Sequence, residues 1–147
     1  MVWPVIAKES RFAIEDTGLY HNDKAFFVPM DDKYLLGILN SKLVWFFLKQ
    51  VCSCLGDVDK KGRLELRKIY VEKVPILKAT PQITTAIAGR AEQMIALYRR
   101  LANTKAEADR IMIERQIKAI DRQIDEQVYD LYGLSKEEIA VIEEPAA

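Results

Sequence analysis

The chain has 147 residues, of which 50% are apolar and 30% charged, and 22 lysines and arginines balance 22 aspartates and glutamates. This composition is typical of one globular domain, and it excludes a disordered chain and a uniformly basic, histone-like protein. The two cysteines are too few for a disulfide framework or for a four-ligand zinc site.

Short runs containing aromatic and β-branched residues predict strands in the first part of the chain. The runs at 11–15, 19–21 and 25–28 have this character. Asp16–Gly18 lies between the first two runs and has the residue types of a turn, and Pro29 ends the third. We therefore expect a small β structure before the first helix.

Two helical segments are predicted next. Either Asp31 or Asp32 is placed to cap a helix over residues 33–39. Asn40-Ser41 then restarts the helix, and apolar residues recur at helical spacing as far as Gly56. The second segment is apolar enough to expect that it is buried.

The segment that follows alternates polar and apolar residues with the period of a strand. Over residues 63–67 the arginines and the glutamate fall on one face, while Leu64 and Leu66 fall on the other. The alternation predicts a strand whose leucines face the core. We expect extended structure to continue over 69–74 and to end at Pro75.

Beyond residue 80 the sequence carries start and stop signals for two long helices. Thr80 is an N-cap with Pro81 at the first helical position. The first apolar stripe then comprises Ile83, Ile87, Ala91, Met94, Tyr98 and Leu101. Thr104 and Glu107 form a capping box that opens the second helix, and Gly133 is placed to end it. Its stripe comprises Ile113, Ile117, Ile120, Ile124, Val128 and Leu131.

These helices are expected to pair as an antiparallel hairpin, because Ala102–Asn103 is a very short connection. At about 1.5 Å per residue the second helix is roughly 42 Å long and should project as a coiled-coil arm. Ser135 and Glu138 form another capping box, for a short last helix. The predicted fold class is α+β, with a small mixed domain over 1–79 and the helical hairpin arm plus terminal helix over 80–147.

No targeting or membrane segment is recognisable. The first residues lack the basic region and apolar run of a signal peptide, and the longest apolar run, Leu43–Leu48, is far below the roughly 20 residues of a membrane span. We expect a cytoplasmic protein without membrane association. The abrupt start at Met1–Pro4 also suggests a piece of a longer chain.

Residues capable of catalysis are few. His21 is the only histidine and lies beside a turn, and Cys52 and Cys54 fit ordinary core positions better than a redox pair. The triplets Asp31-Asp32-Lys33 and Asp59-Lys60-Lys61 have the spacing used by metal-dependent nucleases, but such sites need a further acid. The glycines are isolated, so no phosphate-binding loop is predicted. The sequence therefore offers no convincing active site, cofactor site or metal site.

Local charge is more informative than net charge. Residues 60–78 contain seven lysines and arginines against two glutamates, net +5. Such a segment can place cations on DNA phosphates and an arginine on a guanine edge, although a merely solvated strand face explains the charge equally well. We call the five candidate DNA-binding residues the basic ridge: Lys60, Lys61, Arg63, Arg67 and Lys68.

The order of segments also resembles a known family. The motifs that carry the resemblance are Ile6-Ala7-Lys8-Glu9-Ser10-Arg11-Phe12, Gly18-Leu19-Tyr20-His21-Asn22, Ala25-Phe26-Phe27-Val28-Pro29, the run from Tyr34 to Phe47, and Tyr70-Val71-Glu72-Lys73-Val74-Pro75-Ile76. Together they resemble the C-terminal specificity domain of TaqI-like and related type IIG restriction-modification enzymes, over about Val2 to Ile76. The helical tail resembles the ends of such enzymes and the spacer helices of type I specificity subunits.

The resemblance implies a target recognition domain, which binds double-stranded DNA and selects the sequence that a separate methyltransferase or nuclease domain modifies or cuts. It implies S-adenosylmethionine and Mg²⁺ for the parent enzyme, with no cofactor in this fragment. The Asn-Pro-Pro-Tyr/Phe motif of the full enzymes is missing. The loop at residues 57–63 departs from the family pattern, so base-reading residues cannot be transferred one by one.

Two other functions stay open at this point. The chain could be a protein-interaction module that uses the helical arm, in which case it would associate with a partner without DNA. It could also be a small metal-dependent nuclease using Asp59 and Lys61. Metal-dependent cleavage of DNA by the isolated chain would favour that reading.

Overall fold

The computed structural model describes residues 1–18, 20–56 and 62–144 of the chain. Within them, short strands and short helices share the first half of the chain, and the two longest helices lie in the second half. The strands are β1 (Val2–Pro4), β2 (Ile6–Ala7), β3 (Ala25–Phe27), β4 (Cys54–Leu55) and β5 (Arg63–Glu65). The helices are α1 (Lys33–Leu39), α2 (Lys42–Val51), α3 (Lys68–Val71), α4 (Pro81–Asn103), α5 (Glu107–Tyr132) and α6 (Lys136–Glu143). The α+β class is confirmed.

The strands form two small antiparallel sheets. β1 pairs with β3, and β5 lies between β2 and β4 in the other sheet. The predicted strand at 25–28 is confirmed by β3, but the strand predicted at 11–15 is reduced to one bridge between Val2 and Ala13. At Phe12 the backbone N–H and carbonyl bond instead to the side-chain amide of Asn40, at 3.0 and 2.9 Å.

The other early strand prediction is also not met. Tyr20 and His21 have no strand structure, and Leu19 lies outside the described residues. Tyr20 is fully exposed, so the apolar character of this run does not lead to burial. A short run without a partner strand has nothing to hold it extended.

The first two helices begin where the caps predict. Asp32, rather than Asp31, accepts the N–H of Leu35, and Ser41 accepts the N–H of Val44. The helix predicted as far as Gly56 was too long, because α2 ends at Val51 and Cys52 is already extended. The chain then turns into β4, whose pairing with β5 replaces the last helical turn.

Extended structure predicted over 69–74 is wrong, since α3 occupies residues 68–71. Leu66 is the last residue tied to the sheet, with its N–H bonded to Val5 at 2.6 Å. Arg67 is extended and acts as the N-cap residue of α3, without a side-chain cap. Ile69 is 54% exposed, which shows that the apolar residues beyond Leu66 do not follow the alternation of β5.

The predicted antiparallel hairpin is present as α4 and α5. Arg90 of α4 bonds to Gln123 of α5 at 3.2 Å, and the Arg110 guanidinium donates to the carbonyl of Leu101 at 3.0 Å. α4 begins at Thr80–Pro81 as predicted, and Gly133 ends α5 in the left-handed conformation with φ of 67°.

The hairpin connection differs from the prediction in position and in capping. α4 continues through Asn103, so the turn comprises Thr104, Lys105 and Ala106. Ala106 is the N-cap residue of α5 and provides no side-chain cap. The Thr104 hydroxyl instead donates to the carbonyl of Arg100 at 2.7 Å, which satisfies the end of α4 rather than the start of α5. The capping box at Ser135 and Glu138 does form.

The apolar stripe through which α4 packs against α5 differs from the prediction at one position. Tyr98 is 56% exposed, whereas Leu97 is buried together with Ile113 and Ile117. Half-buried side chains complete this outer cluster: Met94, Leu101 and Ile120. A step of three from Met94 reaches Leu97, so the stripe follows helical spacing but shifts by one residue.

The other end of the hairpin packs against the N-terminal half of the chain. Ile87 and Ala91 of α4 and Val128 of α5 belong to the same buried cluster as Ile38 and Leu48. Residues 1–79 and 80–147 therefore share a core at this end, and the outer cluster around Leu97 stabilises the other. The division of the chain into two domains at residue 79 stays a prediction.

A buried carboxylate links the two halves. Asp125 of α5 is 3% exposed and accepts the backbone N–H of Lys42, the first residue of α2, at 2.9 Å. The Lys42 ammonium lies 3.8 Å from Asp125 and 3.0 Å from Glu143 of α6, and Glu143 accepts the Tyr129 hydroxyl. Burial raises the pKa of Asp125 to about 6, although the bond from Lys42 opposes the shift.

Asp125→Asn should stabilise the protein relative to wild type increasingly as the pH rises. The pKa of Asp125 is about 6 in the folded protein, whereas an unperturbed aspartate has a pKa of 3.8. Between these two pH values the unfolded chain loses the proton more readily, so wild type becomes less stable as the pH rises. Asp121 and Glu143 add negative charge nearby and raise the pKa further, whereas the backbone N–H and the ammonium of Lys42 lower it. We expect the unfolding free energy of Asp125→Asn, minus that of wild type, to increase by about 2–3 kcal/mol between pH 4 and pH 7.

Urea unfolding of both proteins across this pH range measures the effect. Asp130→Asn removes an exposed carboxylate from the same helix and serves as the control, and its curve should run parallel to wild type. If the difference in unfolding free energy between Asp125→Asn and wild type does not vary with pH, burial does not raise the pKa of Asp125.

Candidate nucleic-acid interface

The outward face of the sheet around β5 carries the central part of the basic ridge. Leu64 is 1% exposed and Leu66 is fully buried, whereas Arg63 is exposed and Glu65 is half-buried. The prediction that the leucines of this segment face the core and the charged residues face outward is therefore confirmed. In the register of the sheet, Ile6 lies opposite Glu65 and Leu55 opposite Arg63. Both Ile6 and Leu55 are more than two-fifths exposed, so the outer face combines charge with apolar surface.

Arg67 is held at the far end of β5 by a well-ordered backbone. The indole N–H of Trp3 donates to the Leu66 carbonyl at 2.8 Å in a buried bond, and Val5 accepts the Leu66 N–H. The Nε of Arg67 lies 3.1 Å from a carboxylate oxygen of Glu65. This pair orients the guanidinium, although its exposure means that it stabilises the fold by at most about 1 kcal/mol.

Lys68 opens α3 directly after Arg67 and is exposed. The helix is anchored to the neighbouring segment by a 2.8 Å hydrogen bond between the Tyr70 and Ser53 hydroxyls. The ammonium of Lys73 lies 5.8 Å from the centre of the Tyr70 ring, within range of a cation–π contact. Arg67 and Lys68 thus lie at the start of a short helix that Tyr70 ties to Ser53.

The structure locates three of the five residues of the basic ridge. Arg63, Arg67 and Lys68 are exposed residues of the segment that runs from β5 into α3. Lys60 and Lys61 lie outside the described residues, as does Asp59 of the alternative nuclease site. At about 3.3 Å per residue, Arg63 and Arg67 are roughly 13 Å apart along the chain direction, the length of about four base steps.

Two further cations that the charge pattern did not single out lie beside Arg63. A cavity of about 220 Å³ is lined by Pro4, Ile6, Ala7, Lys8, Arg11 and Arg63. We call it the β2–β5 cavity. Lys8 follows Ala7, the residue paired with Leu64, and this brings it next to Arg63 across the sheet. Because 55 residues separate the two cations along the chain, only the strand pairing could have revealed their proximity.

Groups with possible catalytic chemistry have structural explanations. His21 is exposed and stacks on Phe27, and Asp32 of the first nuclease-like triplet caps α1 while Lys33 pairs with Asp31. Cys52 and Cys54 are free, and burial raises the pKa of the Cys52 thiol to about 11, which disfavours the reactive thiolate. Across 1–18, 20–56 and 62–144, no three potential ligands from histidine, cysteine, aspartate and glutamate cluster as a metal site.

Comparison with known proteins identifies the family. The family described as the TaqI-like C-terminal specificity domain matches residues 1–76, just over half of the chain. The chain therefore belongs to this family, as the resemblance indicated. Its description points to DNA target recognition in restriction-modification enzymes. No curated protein and no solved structure matches the chain. In the described part of the chain, no helix has both the length and the apolarity to cross a membrane.

Proposed function

We propose that this member of the TaqI-like specificity-domain family binds double-stranded DNA through the basic ridge and selects the sequence on which a separate catalytic domain acts. The observation that carries the proposal is the placement of Arg63, Arg67 and Lys68 along β5 and α3, within the matched region. Cations in such a row can follow a phosphate backbone, and a guanidinium can also pair bidentately with a guanine.

The chain is proposed to be non-catalytic by itself. Methyl transfer or cleavage, with the S-adenosylmethionine and Mg²⁺ that they need, would belong to a methyltransferase or nuclease domain in the same or a partner chain. Attachment to a second DNA-gripping domain would raise the effective concentration of this one, so modest affinity of the isolated chain is compatible with the proposal. We also propose a cytoplasmic location.

Salt dependence of duplex binding tests the proposal. Each phosphate neutralised contributes a slope of about −0.9 in a plot of log affinity against log salt, so the five ridge residues predict roughly −4 to −5. Replacing both Lys60 and Lys61 by alanine should flatten the slope by about two units and weaken all sequences alike. Lys68→Ala should flatten it by about one unit. Fluorescence anisotropy with a labelled duplex between 50 and 300 mM salt provides the measurement.

Arginine replacements should separate phosphate contact from base reading. If Arg63 or Arg67 pairs with a guanine, its loss should reduce discrimination between duplexes by about 1–3 kcal/mol. Lys118→Ala, which removes an exposed cation from α5, is the matched control and should leave affinity and slope unchanged. A wild-type slope near zero would overturn the proposal, and DNA-independent capture of a partner protein would then favour the interaction module.

A further inference from the structure

The β2–β5 cavity has the composition of an anion site. Its lining residues include the cationic Lys8, Arg11 and Arg63, all exposed, together with Pro4, Ile6 and Ala7. Three cationic residues around a cavity of about 220 Å³ would attract a compact anion. No carboxylate lines the cavity among the described residues.

The strand pairing brings like charges together at this place. Ala7 pairs with Leu64, and the adjacent residues Lys8 and Arg63 line the same cavity. Like charges on neighbouring strands destabilise a sheet, so this arrangement does not serve the stability of the fold. A bound anion between the two side chains would remove the repulsion.

One carboxylate is close enough to modulate the site. Glu9 accepts two hydrogen bonds from the Arg11 guanidinium, at 3.0 Å from Nε and 2.7 Å from the terminal nitrogen. Both side chains are about two-thirds exposed, so the pair is weak and can be displaced by a phosphate. Glu9 therefore competes with an anion for Arg11.

From these contacts we infer that the β2–β5 cavity binds a phosphodiester group of the DNA backbone through Lys8, Arg11 and Arg63. The inference rests on the proposed function and extends it, because it adds Lys8 and Arg11 to the interface. With Arg63 shared between the cavity and the basic ridge, the cavity continues the ridge across β5 toward β2. The DNA backbone would then contact residues from the first eleven positions of the chain as well as residues 60–68.

Three single variants test this inference on the full chain with a labelled duplex. Lys8→Ala and Arg11→Ala should each weaken duplex binding by about three- to fivefold, with less than one unit of change in the salt slope, because the remaining cations still neutralise the same phosphate. Glu9→Gln should do the opposite and strengthen binding by up to about fivefold, since it frees Arg11 from its competitor. Lys24→Ala removes another exposed lysine of the same region and is the control. A gain of affinity in Glu9→Gln cannot arise from misfolding.

The possible outcomes separate this inference from the proposed function. If wild type shows no salt-dependent binding, the proposed function fails and the cavity inference fails with it. If wild type has a steep slope that flattens in the Lys60/Lys61 double variant, while Lys8→Ala and Arg11→Ala keep wild-type affinity, only the cavity inference is overturned. Thermal melting of every variant checks folding. Should Lys8→Ala or Arg11→Ala melt early, Lys8→Gln and Arg11→Gln replace them, with the same expected losses of affinity.

Discussion

Ile113→Asp should lower the free energy of unfolding by about 3–5 kcal/mol, whereas Ile111→Asp on the same helix should change it by less than about 1 kcal/mol. Ile113 is 2% exposed in the outer cluster of the hairpin, next to Leu97 and Ile117, and Ile111 is 42% exposed. Ile113→Asp therefore places a carboxylate in the buried outer cluster, whereas Ile111→Asp places the same group in water.

Urea unfolding followed by circular dichroism measures both variants. Ile120→Asp, at a half-buried position, should fall between them. Natural domains are stabilised by only about 5–15 kcal/mol, so the Ile113 variant loses a large part of the total. Equal stability of the Ile113 and Ile111 variants would mean that α4 and α5 do not pack through this outer cluster.

Helix starts were predictable where one side chain determines them. Asp32, Ser41, Thr80 and Ser135 each accept the backbone N–H three residues later, and Gly133 ends α5 with positive φ. The prediction at Thr104 was wrong because a second interaction competed for the same hydroxyl. Its bond to the Arg100 carbonyl satisfies α4 instead, and sequence spacing cannot rank two such local bonds.

Strand predictions depended on partners distant in sequence, and they were correspondingly weaker. Ala25–Phe27 is a strand because β1 pairs with it. The backbone of Phe12, in contrast, bonds to the side-chain amide of Asn40 and not to a neighbouring strand. Apolar composition alone does not distinguish these two situations. The exposure of Tyr98 has a similar cause, since residues 97 and 98 both fit a helical stripe and packing against α5 selects Leu97.

The arrangement of the candidate DNA-binding residues was also predictable only in part, because some of it depends on strand pairing. Arg63, Arg67 and Lys68 are close in sequence, so local charge was enough to identify them as candidates. Lys8 and Arg11 come next to Arg63 only through the pairing of β2 with β5. The role of all these residues in DNA binding stays a prediction, as does that of Lys60 and Lys61, which lie outside the described residues.

Gly37→Ala should destabilise the protein by about 1–3 kcal/mol, although alanine is normally the better helix former. A Cβ atom at Gly37 would lie 2.7 Å from the Cγ2 of Ile87, which is a fully buried, β-branched side chain with little freedom to move. The close approach of α1 to α4 requires a residue without a side chain at this point.

Gly89→Ala is the matched control, because a Cβ there meets nothing within 4 Å. It should stabilise α4 by about 0.5–1 kcal/mol, the usual gain of alanine over glycine inside a helix. A double-mutant cycle with Ile87→Ala locates the clash: removing Cγ2 should cost less in the Gly37→Ala background, with a coupling of at least about 1 kcal/mol. If the two substitutions prove additive and Gly37→Ala melts like wild type, the helices do not approach as closely as the structure places them. Opposite signs at the two glycines would show that α1 packs closely against α4 of the hairpin at Gly37.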